Sequence, residues 1–333
     1  MFVSRLSLAL LASTTLFAPA TYAADTAQDA FARPAQLVDI GGRRMNLHCN
    51  GTGPVTVILD APSGDAGWTW FQVQPELAKR TRTCAYDRAG LGFSDPSGRT
   101  GNAINAVEDL HALLGAAGIA PPYVMVGSSY GGGIVQLYSY RYPSEVKGLV
   151  LSEAQFEDET SRLVKASGGK LQQLYDQMAA GGKACAAQAE IGFVPGSELW
   201  NNCIGPVAPN HGRALGAARI AVERAPAHWR AAESENTHME EGDNALRAAR
   251  KSWGDLPVIV LTRGLPQYAI PNRPQSPTNK AMEAENVLVQ KEMAAFSTRG
   301  SQRVVPGSHH VIHLEQPQAV VKAVNDVVDM VTR

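Results

Sequence analysis

The sequence predicts an α/β fold: a mostly parallel, eight-stranded sheet with helices on both faces and a helical segment inserted after the sixth strand. Three observations carry this. Short apolar runs alternate with stretches of helical period, and strands separated by helices pair in parallel and are covered on both sides. Residues 154–254 interrupt that rhythm with no convincing strand. The composition, 44% hydrophobic and 18% charged, is that of a packed globular chain rather than a disordered or collagen-like one.

The elements follow in order. Gln36–Ile40 and Arg44–Cys49 flank Gly41-Gly42 and read as a hairpin, an antiparallel edge to the sheet. Val55–Asp60 is an apolar run of buried-strand type. Trp68–Arg80 has helical spacing through Trp70, Phe71, Val73 and Leu77. Thr83–Tyr86 is a strand, Asn102–Ala117 a helix, Tyr123–Val126 a strand, Gly132–Tyr142 a helix and Val146–Leu151 a strand. Val258–Thr262, a helix around Thr278–Ala295, the strand Arg303–Val305 and the helix Pro317–Val331 complete the series. Within 154–254, Leu163–Met178 is amphipathic and Gly192–Pro209 is rich in breakers. The expected organisation is a core of residues 24–153 and 255–333, with 154–254 as a helical cap. The length of 333 residues suits one α/β domain with an insertion.

Residues 1–23 stand apart. Arg5, the apolar stretch Leu6–Phe17 and the small residues before Ala23 read as a signal peptide cleaved after Ala23. The apolar run is shorter than the roughly 20 residues a membrane span needs. The expectation is export to the periplasm or the medium, without stable membrane insertion. Lys and Arg together number 30 against 31 acidic residues, with no basic run, so nucleic-acid binding is excluded as a function class. In an oxidising compartment four cysteines imply disulfides. Cys49 and Cys84 lie on strands of the N-terminal half, and Cys185 and Cys203 both lie in the inserted segment, so the expected pairs are Cys49–Cys84 and Cys185–Cys203.

The strongest motif is Gly127-Ser128-Ser129-Tyr130-Gly131, a G-x-S-x-G with an apolar strand before it and a helical segment after it. A sharp strand-to-helix turn strains the central serine, and glycines on either side remove side chains that would clash across the turn. This points to Ser129 as a nucleophile and turns Ser128 elsewhere. A second constellation, Gly307-Ser308-His309-His310-Val311-Ile312-His313, follows the last strand, where a loop can carry a general base to the serine. Spacing alone does not choose among His309, His310 and His313. A metal site from these three lacks carboxylates at suitable spacing, and the expected chemistry needs no metal or cofactor.

These segments resemble the α/β-hydrolase superfamily, specifically its bacterial esterase-like serine hydrolases. Asp87-Arg88-Ala-Gly90-Leu-Gly92-Phe-Ser94 is similar to the family's D-R-x-G-x-G-x-S segment, Val258–Gly264 to its seventh strand, and His310-Val-Ile-His313-Leu-Glu-Gln-Pro317 to its H-x-x-H-L-x-x-P ending. The resemblance implies His310 as the base and His313 as structural. It implies turn-shaping roles for Asp87 and Asp95, and it sets the second and fourth strands, hence Cys49 and Cys84, side by side.

Two departures from the family pattern matter. The third strand ends in Asp60-Ala61-Pro62-Ser63-Gly64 where the family usually has His-Gly. An oxyanion hole needs two N–H donors. Tyr130 supplies one; Pro62 has no N–H, so Ser63 is the candidate for the other, with Ala61 as the alternative. Arg263–Pro274, after the seventh strand, holds no acid. Glu153, at the end of the sixth strand, is the expected triad acid, with Glu157 and Asp158 nearby and Glu283 and Glu285 as the later alternatives.

The expected function is that of a carboxylesterase-like serine hydrolase. It would cleave a small-molecule ester or lactone through an acyl-enzyme. Apolar cap residues (Leu163, Leu171, Leu174, Tyr175, Trp200) would wall the pocket. Alternatives on the same residues are a peptidase, a carbon–carbon hydrolase, a cofactor-free haloperoxidase or a non-catalytic ligand-binding member of the fold.

Overall fold

The apolar runs become an eight-stranded sheet. The computed structural model describes residues 26–269 and 273–333; the signal segment expected over residues 1–23 lies outside the described residues. The strands are β1 (Gln36–Asp39), β2 (Arg44–Asn50), β3 (Thr56–Asp60), β4 (Arg82–Tyr86), β5 (Tyr123–Ser128), β6 (Val146–Ser152), β7 (Val258–Arg263) and β8 (Gly300–Val305). Their order is β1-β2-β4-β3-β5-β6-β7-β8. β2 runs antiparallel to β1 and β4, and every other pairing is parallel.

Side chains alternate between two cores, as the two-residue strand period requires. Ile58, Met125, Leu149 and Val258 pack on one face with the helices Ala103–Ala116, Tyr130–Arg141 and Pro277–Ala295. Val57, Leu59, Val124, Val126, Val150 and Ile259 pack on the other with Gln74–Ala78 and Pro317–Val331. β3, β5 and β7 are buried along their whole length. Each such aliphatic side chain contributes about 1.5–3 kcal/mol over its exposed state, so register is firmly specified where the functional loops emerge.

Two expected helices are divided. Trp68–Arg80 is a 3₁₀ turn, Gly67–Trp70, followed by the helix Gln74–Ala78. Pro75 has no N–H to continue a helix from upstream, so it opens a new one. The stretch Leu163–Met178 is cut between Glu159–Ala166 and Lys170–Ile191. Gly168 and Gly169 at the break take φ of +63° and +86°, a backbone conformation that ends helices.

Between β6 and β7 the chain forms these two helices and four more, Glu198–Cys203, Arg213–Glu223, Pro226–Thr237 and Met239–Ala249, with no strand among the described residues. Cys49 and Cys84 face each other in the β2–β4 register and are joined, Cα to Cα 4.0 Å. Cys185 and Cys203 join two of the inserted helices, Cα to Cα 5.7 Å.

Candidate active site

The turn between β5 and the helix Tyr130–Arg141 holds Ser129 at φ +52°, ψ −121°, a region that a residue with a Cβ enters only under strain. The flanking glycines explain why the turn closes at all. A Cβ on Gly127 would lie 2.3 Å from the Gly131 carbonyl oxygen, and one on Gly131 would lie 2.6 Å from the carbonyl oxygens of Asp60 and Ala61. These neighbours are backbone and cannot yield. The turn is fixed from β6 as well: Ser129 N–H donates to the Ser152 carbonyl (3.2 Å), and Gln155 N–H to the Ser129 carbonyl (2.9 Å).

Glu153 follows β6 directly, at φ +44°. Its own N–H donates to the Leu261 carbonyl of β7 (2.8 Å), so the ends of β5, β6 and β7 bring Ser129 and Glu153 to one edge of the sheet. The Glu153 carboxylate is buried. It accepts from the Arg263 backbone N–H (2.8 Å), from the Arg263 guanidinium and from Asn286 Nδ2 (3.4 Å). His310 Nδ1 lies 3.5 Å from Glu153 Oε2. Burial pushes the Glu153 carboxyl up, but the His310 hydrogen bond and the Arg263 charge outweigh it and hold the group below the ordinary glutamate range.

His310 is about one-third exposed. The Ser129 hydroxyl and the His310 ring form no hydrogen bond with each other in this structure; such contacts often tighten only when substrate is bound.

The other candidates fall into different roles. His313 is fully buried, 2.9 Å from Thr69 Oγ1 and 3.3 Å from Ser128 Oγ, and its ring lies against Trp70. Burial pushes its pKa down to about 4, so it is a neutral pillar beneath the elbow, and Ser128 points to it and away from the site. His309 faces Glu315 (3.2 Å). Glu283 pairs with Arg263, Glu285 with Arg162, Glu157 with Arg250 and Asp158 with Arg247. None of these four carboxylates meets His310 among the described residues. Asp87 accepts from the Gly67 and Phe93 N–H groups (2.7 and 2.8 Å) and from Asn46, and Asp95 accepts from Arg44; both shape turns.

The two amides expected to form an oxyanion hole belong to Tyr130 and Ser63. Tyr130 opens its helix, where the first N–H groups have no intrahelical acceptor. In the loop after β3, the Gly64 N–H is taken by Glu235 (2.8 Å), whereas no described residue accepts from Ser63 N–H. The alternative donor, Ala61, is buried with its carbonyl held by Arg88 (2.8 Å).

Three further groups, Arg263, Glu159 and Glu235, are not among the site residues expected from the sequence. Arg263 sits inside the quoted seventh-strand segment; an arginine where an acid is expected was the available clue. Glu159 begins the first inserted helix, and burial, then the Glu153 charge, push its carboxyl up to about 7. Glu235 belongs to the inserted helix Pro226–Thr237 and matches no motif.

A family model described as the alpha/beta hydrolase fold matches residues 47–184. An uncharacterized protein of Bacillus subtilis, YqjL, is 32% identical over 111 residues, 33% of this chain and 44% of that protein. The 2-hydroxymuconate semialdehyde hydrolase of Pseudomonas sp. CF600 is 38% identical over 113 residues, 33% of this chain and 40% of that enzyme. The chain thus spans less than half the length of these curated relatives. Among solved structures, a thermophilic esterase from Thermogutta terrifontis superposes with a TM-score of 0.56 at 19% identity, over 90% of this chain and 99% of that one. With this sheet order, this matched segment and these neighbours in fold, the chain has the α/β-hydrolase fold.

Proposed function

We propose that the protein is a serine hydrolase that cleaves carboxylic ester or lactone bonds through an acyl-enzyme. The observation that carries this reading is Ser129, held in a strained backbone beside a paired His310 and Glu153. Strain that the surrounding structure over-determines is a signature of a functional position.

In this reading the Ser129 oxygen attacks the carbonyl carbon while His310 Nε2 takes the hydroxyl proton. Glu153 fixes the imidazole tautomer through Nδ1 and stabilises the imidazolium. The Ser63 and Tyr130 N–H groups donate to the oxygen on which negative charge develops. Collapse expels the alcohol, protonated by His310, and water then repeats the sequence on the acyl-enzyme. Glu153 suits this role because its low pKa keeps it ionised through the mildly acidic range. Residues 154–254 act as a cap over the site, with Leu163, Leu171, Leu174 and Tyr175 supplying apolar walls near Tyr268 and Met282. Export after removal of residues 1–23 fits two closed disulfides. Among the described residues no helix is long and apolar enough to cross a membrane.

A second reading is carbon–carbon bond hydrolysis on the same three residues, kept because of the 113-residue match to the 2-hydroxymuconate semialdehyde hydrolase. A panel of p-nitrophenyl esters of increasing acyl length, lactones and 2-hydroxymuconate semialdehyde separates the two. The proposal expects turnover of the esters or lactones, abolished in Ser129→Ala. Turnover of the semialdehyde alone would replace ester cleavage by the second reading.

A further inference from the structure

The loop that carries Ser63 is gripped from the inserted segment. Arg88, buried, donates from Nη1 to the Ala61 carbonyl (2.8 Å) and from Nη2 to the Pro62 carbonyl (2.7 Å). The same guanidinium pairs with Asp60 at the end of β3 (2.8 Å) and, through Nε and Nη2, with both oxygens of Glu235 (2.6 and 3.0 Å). Glu235 in turn accepts from Gly64 N–H (2.8 Å) and from Ser63 Oγ (3.1 Å). The two residues therefore hold the carbonyls before Ser63 and the amide after it, while the Ser63 N–H has no acceptor among the described residues. A planar, bidentate arginine–carboxylate pair fixes direction as well as distance.

Glu235 reaches this position because its helix, Pro226–Thr237, lies directly on the core loops. Gly90 (φ +77°) has Ala231 Cβ 2.8 Å from where its own Cβ would stand, so only a glycine admits the helix there. Ser234 Oγ accepts from the Gly101 N–H (2.9 Å). Arg88 also covers the Tyr130 ring at 5.4 Å, which links the clamp to the residue that supplies the other amide.

We propose that Arg88 and Glu235 are positioning residues that aim the Ser63 N–H at the oxyanion, so that seating of the inserted helix Pro226–Thr237 completes the oxyanion hole. This rests on the hydrolase reading of Ser129. The family pattern does not supply it, because Glu235 lies in the segment where the resemblance is weakest.

Two measurements on the full chain test it, using Glu235→Ala and the milder Glu235→Gln, which keeps an acceptor for Gly64. The first is amide hydrogen exchange across residues 61–70. The clamp predicts exchange at least about tenfold faster in Glu235→Ala, with helix Pro317–Val331 unchanged and Glu235→Gln in between. Equal exchange in wild type and Glu235→Ala overturns the clamp whether or not the protein is a hydrolase. The second is the ratio of kcat/KM for an ester to that for its thionoester, whose sulfur is a poor acceptor for oxyanion amides. The proposal predicts a loss of about 10- to 100-fold for the ester, carried by kcat, a much smaller loss for the thionoester, and partial rescue in Glu235→Gln. Equal losses on both substrates would make Glu235 a general packing residue and overturn the positioning role. Absence of wild-type turnover together with absence of Ser129 labelling by a fluorophosphonate would instead remove the hydrolase reading, and the positioning role with it.

Discussion

Glu153, the proposed acid of the triad, is buried among groups that favour its charged form. A buried carboxylate is costly unless paired, and this one has Arg263 on one side and His310 on the other. An arginine, Arg263, stands at the end of β7, and the proposed acid stands one strand away at the end of β6. Glu153→Gln keeps the shape but loses the charge that orients and stabilises the base. The expected result is a fall in kcat of about 10²–10⁴-fold with KM little changed, measured by steady-state ester hydrolysis. Glu285→Gln, which breaks only the pair with Arg162, is expected to stay within a few-fold of wild type. Equal kcat in wild type and Glu153→Gln would remove Glu153 from the triad.

Local elements show which features were legible in the sequence. The elbow was, because its constraint is local: the strand, the two glycines and the helix are contiguous in the chain. Placing Glu153 was possible because a strand end is also local. The identity of the base was not readable from the three histidines by spacing. Burial sets His313 apart, enclosed between Ser128 and Thr69, and the contact with Glu153 is what favours His310 over His309 as the proposed base. Glu235 was invisible because its partners lie 147 and 171 positions away in the chain, at Arg88 and Gly64, and no pattern connects them. The helix breaks at Pro75 and at Gly168-Gly169 were readable from breaker chemistry, and hydrophobic spacing overrode it. The elbow itself carries a prediction. Gly131→Ala drives a methyl into the backbone of Asp60 and Ala61, so the folded state should be destabilised by about 3–5 kcal/mol and the melting temperature should fall. Thermal unfolding measures it, and a wild-type melting temperature would contradict the packed turn.

Across the whole molecule, acid sensitivity follows from histidines enclosed without charge. Burial pushes His228 down to about 4, as it does His313, and His228 Nδ1 has no partner among the described residues. Asp65 and Glu235 pull His228 upward and Arg219 pulls it down, but burial dominates. The folded pKa lies below the unfolded value near 6.5, so between these values the unfolded chain binds protons that the folded chain does not. Stability is therefore lost as pH falls from about 6.5 to about 4, at up to about 1.4 kcal/mol per pH unit for each histidine. His228→Phe should flatten that slope in urea unfolding across this range; an unchanged slope would show that His228 does not contribute.

All of these features surround a single serine held in a strained turn at a strand end, and the proposed function stands on its reactivity. Incubation of the purified protein with a fluorophosphonate, followed by intact mass and peptide mapping, tests it most directly. One adduct per chain is expected, on Ser129, absent in Ser129→Ala and slowed in Glu153→Gln. No adduct on folded wild-type protein, or an adduct that persists in Ser129→Ala, would contradict it.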